Sequence, residues 1–224
     1  PVAALAAVQA WQRLVRESSG PSKADAQRAS ILASLKLADA FVAHPQRTQV
    51  LMAAAEDQYL LGELEPAIAT AERVMQAQPA DELRRGALGV IADARYAQKQ
   101  YPEAEAAYTQ LVALPAKSEG TRTLAIEQLA ASVYKQAEAA RESSDLKLAA
   151  SHFERVARVA PTASIRASAD YDAASTWFVL EDWPRAAASL EAFRMRFPEH
   201  RLLPDADKKL AVAYERSGQP ALGA

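Results

Sequence analysis

Between Tyr171 and Pro198 the apolar positions fall into two short helical stripes separated by a polar step. Residues up to Leu180 keep helical spacing, Glu181 and Asp182 interrupt it, and Pro184 suits the first turn of a second helix. In that second helix Ala186, Leu190 and Phe193 stand at i, i+4 and i+7, and Pro198 stops it. One hairpin of this kind cannot bury its own apolar face, so the pattern predicts further copies along the chain.

The copies are present. Ala67, Ala71 and Val74 return 37 residues later as Ala104, Tyr108 and Leu111, with Pro79 answered by Pro115. A step of 45 leads to Ala149, Phe153, Val156 and Pro161, and a further 37 to the copy that ends at Pro198. Counting back 34 from Ala67 finds Ala33, Leu37, Ala40 and Pro45. Three residues before the small Ala stands an apolar turn residue, Leu64, Tyr101, Leu146 or Trp183, and Pro66, Pro102 and Pro184 follow three of these. The small residue lets two helices approach, the larger one a turn later fills the groove, and proline ends the backbone ladder.

The remaining pattern predicts helices between these markers. Residues 2 to 17 place Ala7, Trp11 and Leu14 on one face, before the break at Ser18-Ser19-Gly20-Pro21. A longer helix from Lys23 to about Ala43 carries Ile31, Leu35, Leu37, Phe41 and Val42. Thr48 to Leu61 and Pro66 to Ala77 form a complete pair. Thr121 to Arg141 reads as one long helix with Leu124, Leu129, Val133 and Tyr134 apolar, which absorbs the 45-residue step with about two extra turns of 3.6 residues. That insertion is either tolerated on the outer rim or a protrusion that touches a partner. Asp205 to Arg216 is a last helix with Leu210 and Tyr214 inward, Gly218 as its stop and no second helix after it.

Composition agrees with this picture. The 224 residues are 50% hydrophobic, with that share leaning on Ala, while aromatics are 7% and Gly is scarce, a mixture that favours helix and predicts almost no strand. A net charge of −2 with pI near 6.0 supplies no field to attract nucleic acid or an anionic bilayer. Without cysteine there is no disulfide, no Cys-ligated metal and no thiol nucleophile. No run reaches the roughly 18 apolar residues of a membrane span. The start, PVAALAAVQAWQRL, lacks an initiator Met and the basic flank of a signal peptide, and reads as an excised or processed fragment.

Candidate chemistry is sparse. His44, His152 and His200 stand far apart without metal-ligand spacing, and two of them sit by helix ends where an imidazole satisfies terminal carbonyls. No phosphate-binding glycine loop, nucleophile elbow or zinc-protease motif occurs. The reading is therefore non-enzymatic, with no catalytic, cofactor-binding or metal residue.

The repeated unit resembles the tetratricopeptide repeat, a helix–turn–helix of 34 residues with W-x2-L-G-x2-Y, then A-x3-F, then P. The likeness covers residues 48 to 218 well and 1 to 47 loosely; the period is mostly 37 and the first-helix signature is degenerate, with Tyr59 and Tyr96 shifted by one. It implies an all-α, right-handed α-solenoid of about eleven helices. Its parts are a divergent hairpin over 1–47, repeats over 48–80, 81–116, 117–161 and 162–199, and a capping or half-repeat helix over 200–224, in one continuous solenoid. The stretch Phe193 to Gly218 also looks like repeats of bacterial envelope proteins such as the outer-membrane-assembly lipoprotein D and the periplasmic coordinator of the Tol–Pal system. That tilts the expected location toward the periplasm or the periplasmic face of the outer membrane, with the cytoplasm as the alternative.

The family's first helices line a concave face, and carrying its positions onto this chain selects Glu56, Asp93, Glu138 and Ser175. Four residues earlier stand Met52, Gly89, Tyr134 and Tyr171; three later stand Tyr59, Tyr96, Arg141 and Phe178, all on one helix face. The implied partner is a protein or peptide that offers Lys or Arg beside apolar side chains, with Gly86 and Gly89 admitting its backbone. The competing reading makes the aromatics inter-repeat core and the acids merely exposed. The Lys/Asn clamp for a chaperone tail is absent, because its positions hold Gln49, Met52, Ala53 and Glu56, then Gly86, Gly89, Val90 and Asp93. Two other classes stay open: a structural segment of a larger secretion or envelope assembly, stacked through exposed apolar residues near Trp11 and Tyr214, or a regulatory region of a longer multidomain protein. Oligomeric state is not encoded in any pattern recognised above.

Overall fold

The computed structural model describes residues 1–218, and among them it contains eleven α-helices and no strand. In chain order these are α1 (Val2–Glu17), α2 (Gly20–Ala40), α3 (Arg47–Leu60), α4 (Leu64–Gln76), α5 (Asp81–Ala97), α6 (Tyr101–Ala113), α7 (Glu119–Glu142), α8 (Leu146–Val159), α9 (Arg166–Val179), α10 (Trp183–Arg196) and α11 (Leu203–Arg216). They fall into two compact units, one spanning Pro1–Ala116 and one beginning at Lys117. In the first unit each helix packs on the next, and α3 also meets α5; in the second the same neighbour-on-neighbour order holds and α11 touches α9. Each unit is a stack of helical hairpins, and the fold is an all-α helical repeat. The expectation that no second helix follows Gly218 concerns residues 219–224, which lie outside the described residues.

The repeat is written most clearly in the backbone of the hairpin turns. Gly62, Lys99, Ser144, Glu181 and Gly218 all adopt positive φ, between 56° and 77°, just beyond the C-termini of α3, α5, α7, α9 and α11. After the first four, the next residue's N–H reaches five residues back, as in Glu63 to the Gln58 carbonyl and Gln100 to the Arg95 carbonyl. This closure satisfies the orphan carbonyls of the helix end and turns the chain directly into the partner helix. Asp145 and Asp182 then cap α8 and α10 by accepting from the N–H groups of Leu148 and Arg185.

The i, i+4, i+7 residues of the second helices form the cores. Ala67, Ala71 and Val74, then Ala149, Phe153 and Val156, then Ala186, Leu190 and Phe193 are all fully buried. Close packing of this kind stabilises by about 1.5–3 kcal/mol for each large side chain removed from water. The pattern departs in α2, where Leu37 is buried but Ala40 is exposed.

Several expectations are corrected. In α1 the buried residue is Val8, while Trp11 and Leu14 are 39% and 42% exposed, because α1 packs through Ala4, Leu5 and Val8. Leu124 is exposed, since α7 is 24 residues long against 14 in α3 and its first six residues project into solvent; burial begins at Ala125. Val42 lies outside α2 and is exposed. His44 and His200 do not cap carbonyls: each Nδ1 accepts a backbone N–H, from Gln46 at 3.2 Å and from Leu202 at 3.3 Å, at the entry to α3 and α11.

Candidate functional site

In the first unit an open groove of about 400 Å³ runs between α1 and α3, lined by Leu5, Val8, Val50 and Leu60, with Arg16 on its α1 side. Glu56 stands exposed in its wall, as the helical register predicts. Beside it lies a residue the sequence reading missed: Asp57 is half-buried and accepts a hydrogen bond from Gln27 Nε2 at 3.0 Å. Burial pushes the Asp57 carboxyl above the ordinary carboxylate range, partly offset by Gln27 and by the charge of Lys23. Its sequence signal was the polar Gln27, 30 residues earlier, which α2 buries almost completely.

The next first-helix face joins α3 to α5. The two glycines of α5 separate in role here. A Cβ at Gly86 would stand 3.2 Å from Met52 Sδ, so Gly86 serves helix packing, whereas nothing lies within 4 Å of a Cβ at Gly89. Space is open at Gly89 and filled at Gly86. One turn on, Asp93 is half-buried and accepts from the Tyr108 hydroxyl of α6 at 2.5 Å. Burial raises the Asp93 carboxyl despite that hydrogen bond. Tyr59 packs on the α3–α5 core, and the charge of Asp93 adds to the burial that raises its hydroxyl. Tyr96 meets Tyr101 edge-on at 5.4 Å.

In the second unit the predicted residues are drawn largely into packing. The Tyr134 ring lies edge-on to Phe153 at 5.0 Å, and its hydroxyl donates to Asp172 of α9, which together with burial raises the hydroxyl strongly. Tyr171 sits edge-on to Phe193 at 5.7 Å, donates to Asp205 and accepts from Lys209 Nζ. Phe178 meets Trp183 at 5.3 Å. Glu138 accepts from Lys135 Nζ at 2.6 Å on its own helix. Ser175 is half-buried, its enclosed Oγ without a hydrogen-bond partner among the described residues. The rings therefore hold hairpins together and expose only part of their surface. On α1 Trp11 is exposed; on α11 Tyr214 is buried with its hydroxyl on Glu191, while Val212 beside it is exposed.

Among the described residues no cluster of three or more His, Asp or Glu is placed to hold a metal, and no helix is long and apolar enough to cross a membrane. The hairpins, their positive-φ turns and their proline stops define a helical-repeat protein. Solved structures similar to it include tetratricopeptide and tetratricopeptide-like repeat proteins. One, a tetratricopeptide repeat protein from Parabacteroides merdae, is 13% identical over 96% of this chain and 76% of its own, with a TM-score of 0.41. BtubC from P. vanneervenii is 15% identical over 96% of this chain and 87% of its own, at 0.37. The nearly identical repeats of a Podosopora anserina protein assigned as a kinesin light chain are 20% identical over 81% and 92%, at 0.35. No protein-family model and no curated protein matches the chain.

Proposed function

We propose that the chain is a non-enzymatic scaffold that binds a protein or peptide on the faces of its first helices. The observation that carries this reading is the open first-helix surface of the first unit, where the α1–α3 groove and the space at Gly89 lie beside Glu56, Asp57 and Asp93. An apolar lining with Glu56 and Asp57 on the α3 side and Arg16 on the α1 side, followed by Asp93 on α5, favours a segment that alternates aliphatic or aromatic side chains with Lys or Arg against α3 and α5, held by burial and charge pairing. In the second unit the corresponding face offers Tyr134, Glu138, Tyr171, Ser175 and Phe178. The envelope setting rests on the stretch Phe193 to Gly218 and is tested by fractionating source cells with an antibody: recovery with cytosolic markers would end it.

The binding reading is tested by panning displayed random peptides on the whole protein. Enriched sequences should combine cationic and apolar residues and should bind an E56Q/D93N/E138Q variant at least tenfold more weakly while its thermal melt stays cooperative. Enrichment of acidic or charge-free peptides, or equal binding to that variant, would overturn it.

A further inference from the structure

Asp93 is one of several partly buried acids that accept only from neutral donors, with Asp57, Asp172 and Glu191. Among these four it is the one with an open glycine position four residues before it on the same helix face. Asp170 is held by Arg166 and Arg196, and Glu138 by Lys135. Asp93 receives one hydrogen bond, from the neutral Tyr108 hydroxyl, and pairs with no cation among the described residues. Its carboxylate has capacity for further donors. It stands between Gly89, four residues earlier on the same face with open space before it, and Tyr96, three residues later. Tyr59 of α3 lies within its electrostatic reach, and Tyr59 and Tyr96 both lie within that of Tyr108.

A desolvated carboxylate beside aromatic rings is what an ammonium group needs: a counter-ion in a medium where pairing is strong, and π-faces that take over from lost water. We propose that this α3–α5 face is a subsite for one alkylammonium group, the side chain of a lysine in the bound segment, with Asp93 as counter-ion and Tyr59 and Tyr96 flanking the methylene stem. Gly89 supplies the approach, since nothing lies within 4 Å of where its Cβ would stand. The proposal rests on the peptide-binding reading above and names the group recognised at one point of it.

The test uses the whole protein with n-butylammonium as probe and n-butanol as its neutral counterpart, followed by NMR. The ammonium should shift the Gly89 amide and the Tyr59 ring resonances saturably, butanol should not, and D93N, which keeps an acceptor for Tyr108, should weaken the ammonium at least tenfold. Shifts that are absent, that butanol reproduces, or that survive in D93N would overturn the subsite. A panned peptide whose affinity is unchanged when each lysine becomes norleucine would overturn it too, while leaving the peptide-binding reading standing. Saturable, Asp93-dependent ammonium binding in a protein that enriches no peptide would support the subsite and sink that reading instead.

Discussion

The Tyr108 hydroxyl donates to the Asp93 carboxylate at 2.5 Å, joining α6 to the first-helix face of α5 at a site without a cation among the described residues. Burial is the largest influence on Asp93 and raises its carboxyl above the unfolded value, with the Tyr108 hydrogen bond opposing. The folded state therefore binds that proton more tightly than the unfolded chain. The stability linked to it is fully present below the unfolded value near 3.9 and is lost as pH rises through the folded one. D93N, whose amide oxygen still accepts from Tyr108, should melt higher than the parent at pH 7.5, and the gap should close on acidification. Thermal melts of both proteins from pH 7.5 to 4 check this; a gap that widens toward low pH contradicts it.

The hairpin turns make a second prediction. Gly62 holds φ +77° without strain, while Lys99 and Glu181 hold +63° and +56° at the equivalent position with a Cβ in place. G62A should lose about 1 kcal/mol. K99G and E181G should gain less, up to about 1 kcal/mol, because glycine also loosens the unfolded chain. Urea unfolding midpoints measure all three.

Gly86 and Gly89 share a helix, so a propensity gain of up to about 1 kcal/mol from alanine applies to both. G89A should show that gain, since its Cβ meets nothing within 4 Å. G86A should show less or reverse it, because its Cβ must push the Met52 side chain aside from 3.2 Å. Equal gains at the two sites would mean that α3 and α5 pack less closely there.

The second-helix core makes the sharpest stability contrast. F153A removes a fully buried ring that meets Tyr134 edge-on and should cost about 3–5 kcal/mol. L124A, on the projecting start of α7, should stay within about 0.5 kcal/mol.

The repeat was readable because second helices carry their packing in short-range spacing: Ala186, Leu190 and Phe193 lie on one stripe whatever their neighbours do. First helices are different. That Glu56 and Asp57 both border the groove while Asp57 also meets Gln27 depends on how α3 is rotated between α1 and α2, a relation set by residues 30 or more positions away. The same holds for Tyr134 with Asp172 and Tyr171 with Asp205, pairs 38 and 34 residues apart that no local pattern announces. The inward face of α1 is ambiguous in the sequence for a related reason. Ala7, Trp11 and Leu14 and Ala4, Leu5 and Val8 are both helical stripes, and only packing against α2 and α3 chooses between them. Gly86 and Gly89 looked equivalent until Met52 filled the space before one of them.

The central claim, that acidic first-helix faces hold a cationic and apolar segment, is tested most directly by the salt dependence of one affinity. A lysine-containing peptide panned on the whole protein should bind several-fold more weakly at 500 mM than at 50 mM salt, and the E56Q/D93N/E138Q variant should flatten that slope while remaining folded. Binding that is independent of salt, or a slope unchanged in the variant, would contradict the account.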